Sequence, residues 1–289
     1  MAAPAPGVSG PSLNGVAGTI IYKMTGSGND FVFVDGRAAP VSMWTPEKIR
    51  WVCSRQLGVG GDGLVVLEPG SARGSVRLHY FNSDGFRAAL CGNASLCAAR
   101  LSAWLELAPA TGLVLETDAG PVRARCLEGT GELAEIELPA LSGIGTPAVE
   151  LESHEKWARF ATVGVPHLAV LVDRDLGQVD VTGRGRALRH HHALQPDGAN
   201  ISFVASGPHG WAFRTYERGV EAETLACGTG SIAVATILVD AGLAQFPVSL
   251  RTASGCTLTV SRPEAQETGV RSVRLAGEGR LIYRAILGL

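Results

Sequence analysis

The sequence lacks several features that would assign the chain to a common class. No apolar run reaches about 18 uncharged residues, so no segment is long enough to cross a bilayer as a helix. The 25 basic and 27 acidic residues give a formal net charge of −2 and a pI near 6.4. This balance argues against nucleic acid and against an anionic membrane surface. We therefore expect neither a nucleic-acid partner nor a membrane partner.

Metal and redox motifs are missing as well. The six cysteines, at positions 53, 91, 97, 126, 227 and 256, form no Cys-x-x-Cys pair and no cluster with zinc spacing. Three consecutive histidines at 190–192 would not converge on one ion in regular structure, so we interpret them as a solvated helix end. We expect no metal and reduced thiols in a cytoplasmic protein, with Cys97 in a structural role.

Nucleotide-binding loops and a signal peptide are also absent. The glycines at 26 and 28 precede a strand-like segment where a dinucleotide fingerprint needs a helix, and the glycine-rich segment 58–63 lacks Gly-Lys-Ser/Thr. Residues 1–18 are rich in Ala, Pro, Gly and Ser and have no basic start or long apolar stretch. They are predicted to form a flexible extension outside the fold.

What the chain does contain is a stretch that occurs twice. Residues 90–96 read LCGNASL and residues 226–232 read ACGTGSI, so the two cysteines are 227 − 91 = 136 positions apart. Downstream, Gly120 and Gly255 stand in similar turns at an offset of 255 − 120 = 135. A weaker pair matches 29–34 with 200–204. The order of the matches predicts two similar half-chains, although small-residue turns can also resemble each other by chance.

The repeated stretch has a specific chemical meaning. In both copies a strand-like run and a polar turn precede Cys-Gly, and an apolar segment of helical period follows. Small residues at a helix start let backbone N–H groups approach an anion, and a cysteine there is predicted to have a lowered thiol pKa. Two such cysteines facing one anionic site would be a pair of thiol bases. The competing interpretation is that each cysteine is a packed small residue.

The secondary-structure pattern indicates an α+β fold. Strand-like runs occur throughout, for example at 19–24, 31–35, 64–67 and 76–81, and a helix is predicted over 46–56. Each half has one strong helix, after its Cys-Gly, which favours mixed sheets rather than a doubly wound fold. A chain of 289 residues suits two domains of roughly 130–140 residues each, or one large domain.

The ordered set of motifs resembles diaminopimelate epimerase, over nearly the whole chain from residue 20 onward. The segments that carry the resemblance are 23–31 (KMTGSGNDF), 81–85 (FNSDG), 91–93 (CGN), 166–167 (PH), 185–191 with 200–203, 216–219 (YERG) and 223–230 (ETLACGTG). The resemblance implies two pseudo-symmetric domains, each a mixed β-sheet or barrel wrapped around a central helix, with the active site between them. It places 19–137 plus 277–289 in the first half and 138–276 in the second.

The same resemblance implies an activity and a set of site residues. The activity is cofactor-independent interconversion of LL- and meso-diaminopimelate, in lysine and cell-wall biosynthesis, by a homodimer. Cys91 and Cys227 would be the catalytic thiols, with His167 and Glu217 as the groups that tune their pKa. Tyr283 would be a dimer contact. The implied substrate-binding residues are Asn29, Asn82, Gly92, Asn93, Asn200, Glu217, Arg218, Gly228 and Thr229.

The chain departs from the family pattern at a few positions, and other functions remain open. Val165 stands where many members have an Asn that holds the distal amino-acid group, and Gly63 where some have a substrate-contacting Gln. Asn-Ala-Ser at 93–95 replaces the common Asn-Gly-Ala/Ser. The alternatives are a racemase of another amino acid such as histidine, a thiol oxidoreductase, and an inactive amino-acid-binding module. His167 could also be a surface loop residue, and Glu217 with Arg218 a solvated pair.

Overall fold

A computed structural model of the chain describes residues 15–129, 131–139, 141–263 and 272–288. The α-helices are α1 (Pro46–Cys53), α2 (Gly92–Trp104), α3 (Val181–Arg189) and α4 (Gly228–Asp240). The strands of the first half are β1 (Ile20–Gly26), β2 (Asn29–Asp35), β3 (Gly63–Pro69), β4 (Ser75–Asn82), β5 (Leu113–Thr117), β6 (Gly120–Cys126) and β7 (Leu133–Pro139). The later strands are β8 (Ser142–Gly145), β9 (Glu155–Val163), β10 (Val165–Val172), β11 (Asn200–Gly207), β12 (Gly210–Glu217), β13 (Ala222–Thr224), β14 (Val248–Arg251), β15 (Thr257–Ser261), β16 (Ser272–Glu278) and β17 (Arg280–Ile286).

The two halves repeat one pattern of strand pairing, which confirms the predicted internal repeat. In the first half, β1–β2, β3–β4, β5–β6 and β6–β7 pair antiparallel, while β2–β3 and β4–β5 are parallel. In the second half, β9–β10, β11–β12, β14–β15 and β15–β16 are antiparallel, and β10–β11 and β12–β14 parallel. By this pattern β2 corresponds to β10 and β3 to β11. The predicted match of 29–34 with 200–204 is therefore wrong, because 200–204 lie in β11.

Each parallel pair of neighbouring strands is joined by a crossover that contains a helix, as parallel pairing requires. The helices α1 and α3 connect β2 to β3 and β10 to β11, and α2 and α4 follow β4 and β12. The helix α1 begins at 46, as predicted. Pro46 occupies its first turn, and the Thr45 side chain accepts a hydrogen bond from the Lys48 N–H. The helix ends at Cys53, three positions before the predicted end at 56.

The helices α2 and α4 are the centres of the two halves. In α2 the stretch from Leu96 to Ala99 is completely buried, and in α4 so are Ala235, Ile237 and Leu238. Strands β1–β7 contact α2, and β9–β11 with β14–β16 contact α4. A helix enclosed in this way has to be apolar nearly all round, and both sequences are. The expected sheet around a central helix is confirmed in both halves.

The sheets of the two halves form one continuous hydrogen-bonded system. Strand β7 pairs with β6 and also, antiparallel, with β16, so that Ile136 faces Leu275. Strand β17 returns to the first half and pairs with β1. The domain boundary at 137/138 stays a prediction, since β7 belongs to both sheets.

The predicted N-terminal extension overlaps the fold. Val16 is completely buried in a cluster with Trp44 and Leu287, and the Gly18 N–H donates to the Leu287 carbonyl at 3.0 Å. For residues 15–18 the prediction of a flexible extension is therefore wrong, because the Val16 side chain is buried in the core. Residues 1–14 lie outside the described residues. Within the described part of the chain, none of the helices is both long and apolar enough to cross a membrane.

Candidate active site

The two Cys-Gly stretches meet at the starts of the central helices. Cys91 and Cys227 occupy the N-cap positions of α2 and α4 with nearly the same backbone, φ −133° and ψ 119° against φ −134° and ψ 107°. A Cβ built on Gly92 would lie 3.7 Å from the Gly228 Cα, and one built on Gly228 would lie 3.5 Å from the Gly92 Cα. The two helix N-termini therefore abut through their glycines, and this contact brings the two cysteines to one place.

The thiols are less acidic than their position at a helix start predicts. Burial raises the pKa of Cys91 to about 11, and the negative charge of Glu217 adds to that rise. Hydrogen bonds from the amides of Ala94 and Asn93 and from the Tyr80 hydroxyl oppose it. Burial also raises the pKa of Cys227, and the negative charge of Glu217 acts in the same direction. The prediction of lowered thiol pKa values is thus wrong, because the cost of burying a charge exceeds the help from the helix N-terminus.

The second half supplies polar groups from neighbouring strand ends. His167 in β10 is the register partner of Asn200, the first residue of β11. Ile201 pairs with Tyr216, so Glu217 at the end of β12 lies beside Asn200. The Asn200 Oδ1 accepts the Arg218 backbone N–H at 2.7 Å. The structure therefore brings these four predicted site residues together, and His167 belongs to a strand rather than a surface loop.

His167 is buried and neutral. Burial lowers its pKa to about 3, and the positive charge of Arg218 acts in the same direction. Neither ring nitrogen has a hydrogen-bond partner among the described residues. A buried polar group without a partner costs free energy, so an imidazole kept in this state is a mark of a binding or catalytic site.

Glu217 and Arg218 differ in their surroundings. Burial raises the pKa of Glu217, while a hydrogen bond from Thr224 Oγ1 to Oε2 at 2.8 Å opposes that rise. The Arg218 guanidinium donates from Nη1 to the Asp197 carbonyl at 3.3 Å and leaves its other donors for a ligand. On the α4 side, Thr229 Oγ1 lies 3.7 Å from the Cys227 sulfur.

The first half contributes a chain of polar side chains that leads to α2. Asn93 Nδ2 donates to Asn29 Oδ1 at 2.6 Å, and Asn29 Nδ2 donates to Asp62 Oδ2 at 2.9 Å. Asp62 Oδ1 accepts from Arg55 Nη2 at 2.8 Å. Asn29 and Asn93 are thus brought together as predicted, and Asp62, which sequence reasoning missed, fixes them. The sequence feature that could have indicated Asp62 is its position directly after the glycine-rich turn at 58–61.

Tyr80 was also missed, and it explains the glycine at 63. A Cβ on Gly63 would lie 2.7 Å from Cε2 of the Tyr80 ring and would overlap the Phe81 carbonyl. A longer side chain at 63 is therefore excluded in this chain. Asn82, the register partner of Gly63, stands exposed at the end of β4. Tyr80 is two residues before Asn82 and therefore on the same face of the strand, which is the signal that could have indicated it.

The remaining predicted positions lie away from this centre. Tyr283 is 43% exposed in β17, where it pairs with Lys23. His190 caps the end of α3 and is exposed, as expected for a solvated helix end. Cys97 is completely buried in the core, in line with a structural role.

One group of side chains has a spacing that suits a metal ion. It consists of Glu152, His154 and Glu155. Arg184 Nη2 already binds Glu155 Oε2 at 2.7 Å, which neutralises the buried acid of the group. The expected absence of a metal stays a prediction.

The comparisons with known proteins agree with this geometry. A family model described as diaminopimelate epimerase matches residues 21–136 and 159–273. A diaminopimelate epimerase from Gemmatimonas aurantiaca is 45% identical over 278 residues, which cover 92% of this chain and 99% of the relative. One from Aquifex aeolicus is 37% identical over 276 residues, 90% of this chain and 96% of the relative.

The chain belongs to the diaminopimelate epimerase family. The resemblance inferred from the motifs is thereby confirmed, and the protein is an isomerase of the epimerase type. The two matched stretches of the family model fall on the two halves of the structural repeat. Cys91 and Cys227 stand at the same position in each half.

Solved structures share the fold at low sequence identity. A PhzF-family phenazine biosynthesis protein from Bacillus anthracis superposes with a TM-score of 0.72 at 14% identity, covering 94% of this chain and 99% of its own. A predicted epimerase from Pseudomonas aeruginosa gives a TM-score of 0.67 at 21% identity, with coverage of 93% and 99%. At such identities the likeness shows the fold alone, and it confirms the predicted two-domain mixed-sheet class.

Proposed function

We propose that this protein interconverts LL- and meso-diaminopimelate without a cofactor, with Cys91 and Cys227 as the two acid–base groups. The observation that carries the proposal is the contact between Gly92 and Gly228, which brings two N-cap cysteines together at abutting helix starts. Inversion of an α-carbon needs a base on one face and an acid on the other. Two equivalent thiols meet that need in both reaction directions.

The helix starts also provide a place for the substrate carboxylate. The first N–H groups of a helix have no intrahelical acceptor, and those that are not directed at a cysteine sulfur belong to Gly92 in α2 and to Gly228 and Thr229 in α4. Such donors bind an anion and stabilise the additional charge that develops when the α-proton leaves. The carboxylate therefore sits between the two helices, with one thiol on each side of the α-carbon.

Ionisation of a buried thiol is coupled to substrate binding in this proposal. Burial alone keeps both thiols protonated near neutral pH, and the charge of Glu217 opposes ionisation of either. The substrate's α-ammonium group carries a positive charge, which favours a thiolate nearby and offsets the charge of Glu217. His167, neutral and with both nitrogens unpaired, accepts a hydrogen bond from the same ammonium group.

The distal end of the substrate is bound at the mouth of the site. Arg218 suits a second carboxylate because a guanidinium can donate two parallel hydrogen bonds. Since the Asn200 carbonyl oxygen already accepts from the Arg218 backbone, its amide NH₂ is left to donate to the substrate. Asn82 stands exposed beside Gly63 and can reach the same end. Val165 has no polar group for the distal ammonium.

We also infer a homodimer built on β17 and a cytoplasmic location. Strand β17 pairs with β1 and exposes four large apolar or aromatic side chains, Leu281, Ile282, Tyr283 and Ile286. An apolar edge strand favours pairing with a second chain. The six cysteines are free, which suits a reducing compartment.

The deciding experiment follows inversion of LL-diaminopimelate by the purified chain with no added cofactor. Histidine and other L-amino acids are run in parallel. Inversion of diaminopimelate with a much larger kcat/KM than any other amino acid supports the proposal. Preference for an amino acid without a distal carboxylate would contradict it, and would transfer the assignment to a racemase of that amino acid.

A further inference from the structure

The turn between β1 and β2 is enclosed from two sides. A Cβ on Gly26 would lie 2.6 Å from the Asn93 carbonyl oxygen and 3.1 Å from the Cys97 sulfur, so this end of the turn lies directly against α2. A Cβ on Gly28 would lie 2.6 Å from the Ser254 Cβ. The turn of the first half is therefore packed between its own central helix and the β14–β15 turn of the second half.

One side-chain hydrogen bond crosses from the second half to this turn. The Ser254 hydroxyl donates to the Ser27 carbonyl at 2.7 Å, since a carbonyl oxygen can only accept. The Ser254 oxygen is itself fixed, because it accepts the Cys256 N–H at 3.2 Å and lies 2.8 Å from the Thr252 hydroxyl oxygen. Ser27 has φ +54°, a conformation that residues other than glycine rarely adopt and that surrounding contacts have to hold. The Ser254 hydroxyl supplies one of these contacts.

The residue held by this turn is Asn29. It pairs with Gly26 across the turn, two positions after Ser27. Its Oδ1 accepts from Asn93 Nδ2 at 2.6 Å, and its Nδ2 donates to Asp62 Oδ2 at 2.9 Å. A displacement of the turn would therefore move Asn29 relative to the start of α2, where the proposed function places the substrate carboxylate.

The internal repeat separates what is general in this contact from what is particular to Ser254. In both halves the hairpin turn donates a backbone N–H to the residue two positions before the cysteine. The Ala119 N–H donates to the Ala89 carbonyl at 3.2 Å, and the Ser254 N–H donates to the Leu225 carbonyl at 3.0 Å. Ala119 has no hydroxyl, and a Cβ on Gly164, in the corresponding β9–β10 turn, would meet no other part of the described chain within 4 Å. The side-chain contact with the opposite half is therefore made on one side only, by Ser254.

We propose that Ser254 is a positioning residue for substrate binding, whose hydroxyl holds the β1–β2 turn, and with it Asn29, against the start of α2. The inference rests on the proposed function in so far as Asn29 binds the substrate. Ser254 takes no part in proton transfer. It acts from the other half, so its hydrogen bond joins the two halves at the edge of the site.

The first test is amide hydrogen exchange of the full chain, measured by mass spectrometry on a peptide that spans 24–31. Ser254→Ala removes the hydroxyl and keeps the Cβ that lies against Gly28. Loss of one hydrogen bond should make this peptide exchange about fivefold faster. Ser254→Cys keeps a similar shape with a weaker donor, and its exchange rate should lie between those of Ser254→Ala and the parent.

The matched control is Ser249→Ala. Ser249 lies on the same β14–β15 hairpin as Ser254, and its hydroxyl oxygen is 3.0 Å from that of Thr259 within the hairpin. This variant also removes one hydroxyl contact from the hairpin, but none with the first half. It should leave the exchange of 24–31 unchanged.

The second test separates KM from kcat. Steady-state inversion by the parent, Ser254→Ala and Ser249→Ala is measured with the amino acid that the parent inverts fastest. A residue that acts through Asn29 contributes to binding of substrate and transition state alike, so Ser254→Ala should raise KM about fivefold and change kcat by less than about twofold. A mere loss of folded protein would instead lower the apparent kcat and leave KM unchanged.

Unchanged exchange of 24–31 in Ser254→Ala would overturn the proposal, and so would faster exchange without a rise in KM. Failure of the proposed function gives a different result. A chain that does not invert diaminopimelate refutes that function, whereas the exchange measurement needs no turnover and the kinetic test uses whichever amino acid is inverted. If none is inverted, the dissociation constant of diaminopimelate takes the place of KM.

Discussion

The two halves of this protein share one backbone plan but contribute different chemistry. Where the second half has His167 at the start of β10, the corresponding residue of β2 is the buried Phe31. The first residue of β3 is Gly63, and the first residue of β11 is Asn200. Around the helix starts, the N-cap cysteine and the glycine that follows it are the same in both copies. The repeat therefore places a cysteine at the same position of both halves, while the residues around the two cysteines differ.

The asymmetry extends to the electrostatics of the site. The second half contributes Glu217, whose charge raises the pKa of both thiols, and the first half contributes the chain of amides from Asn93 through Asn29 to Asp62. A symmetric pair of thiols in an asymmetric field has two different pKa values. Under the proposed function, the two halves contribute equally to proton transfer and unequally to substrate recognition.

The largest expected effect concerns the equivalence of the two thiols. Cys91→Ala and Cys227→Ala should each reduce epimerisation by at least about a hundredfold, because either loss leaves one face without its acid or base. In D₂O, early product of the parent should carry deuterium at the inverted centre while unreacted substrate keeps its hydrogen. NMR of the product measures this.

Cys126→Ala is the matched control, since Cys126 lies outside the site with its sulfur 3.7 Å from the Ala99 carbonyl. Substantial return of the original hydrogen to early product would mean that one base serves both faces. The equivalence of the halves would then be wrong.

A smaller effect is expected from the recognition side. Arg218→Lys keeps the charge but loses the two-pronged contact with a distal carboxylate, which should cost about 2–3 kcal/mol in kcat/KM for diaminopimelate. The measurement is steady-state kinetics of the parent and of Arg218→Lys. Arg37→Lys is the control, because Arg37 forms an exposed ion pair with Asp35. Normal turnover by Arg218→Lys would contradict the assignment of this residue to the distal end.

The difference between Phe31 and His167 should appear in the pH dependence of stability. The folded pKa of His167, about 3, lies below its ordinary value of 6.5, so between these pH values the unfolded chain binds one more proton than the folded chain. The stabilisation of the folded state that results from this difference is complete above pH 6.5. Below that pH, the free energy of unfolding falls by about 1.4 kcal/mol per pH unit. Urea denaturation between pH 7 and 4.5 should give a shallower acid slope for His167→Gln than for the parent.

The smallest expected effect concerns the hydroxyl pair that replaces Tyr80 in the second half. Ser202 and Thr215 are buried and hydrogen-bonded to each other, with oxygens 2.9 Å apart. Thr215→Val should lower the free energy of unfolding by about 1–2 kcal/mol, because the Ser202 hydroxyl is left unpaired. The double variant with Ser202→Ala should recover part of the loss in thermal or urea unfolding. A simple sum of the two single effects would argue against direct coupling of these hydroxyls.

Local pattern was enough to predict many of the elements. The start of α1 at Pro46, the two long apolar helices after Cys-Gly and the turn at Gly120 all follow from short-range rules for caps, periodicity and turns. The order in which the strands pair could not be predicted, because parallel neighbours such as β2 and β3 are far apart in the sequence and pair only in the folded chain. The incorrect match of 29–34 with 200–204 has the same cause. The two segments have similar sequences, but they form strands at different positions of the repeat, β2 and β11.

The sequence by itself determined that there are two similar half-chains, that each places a cysteine at the start of a buried helix, and that the ordered motifs belong to one epimerase family. Only the tertiary structure decided the acidity of those cysteines, because burial is a property of the packed fold and here it exceeds the effect of the helix start. It also decided that Asp62 lies beside Asn29 and, through Asn29, is linked to Asn93 at the start of α2. These side chains become close only when the sheet wraps around α2, and spacing along the chain carries no record of that distance.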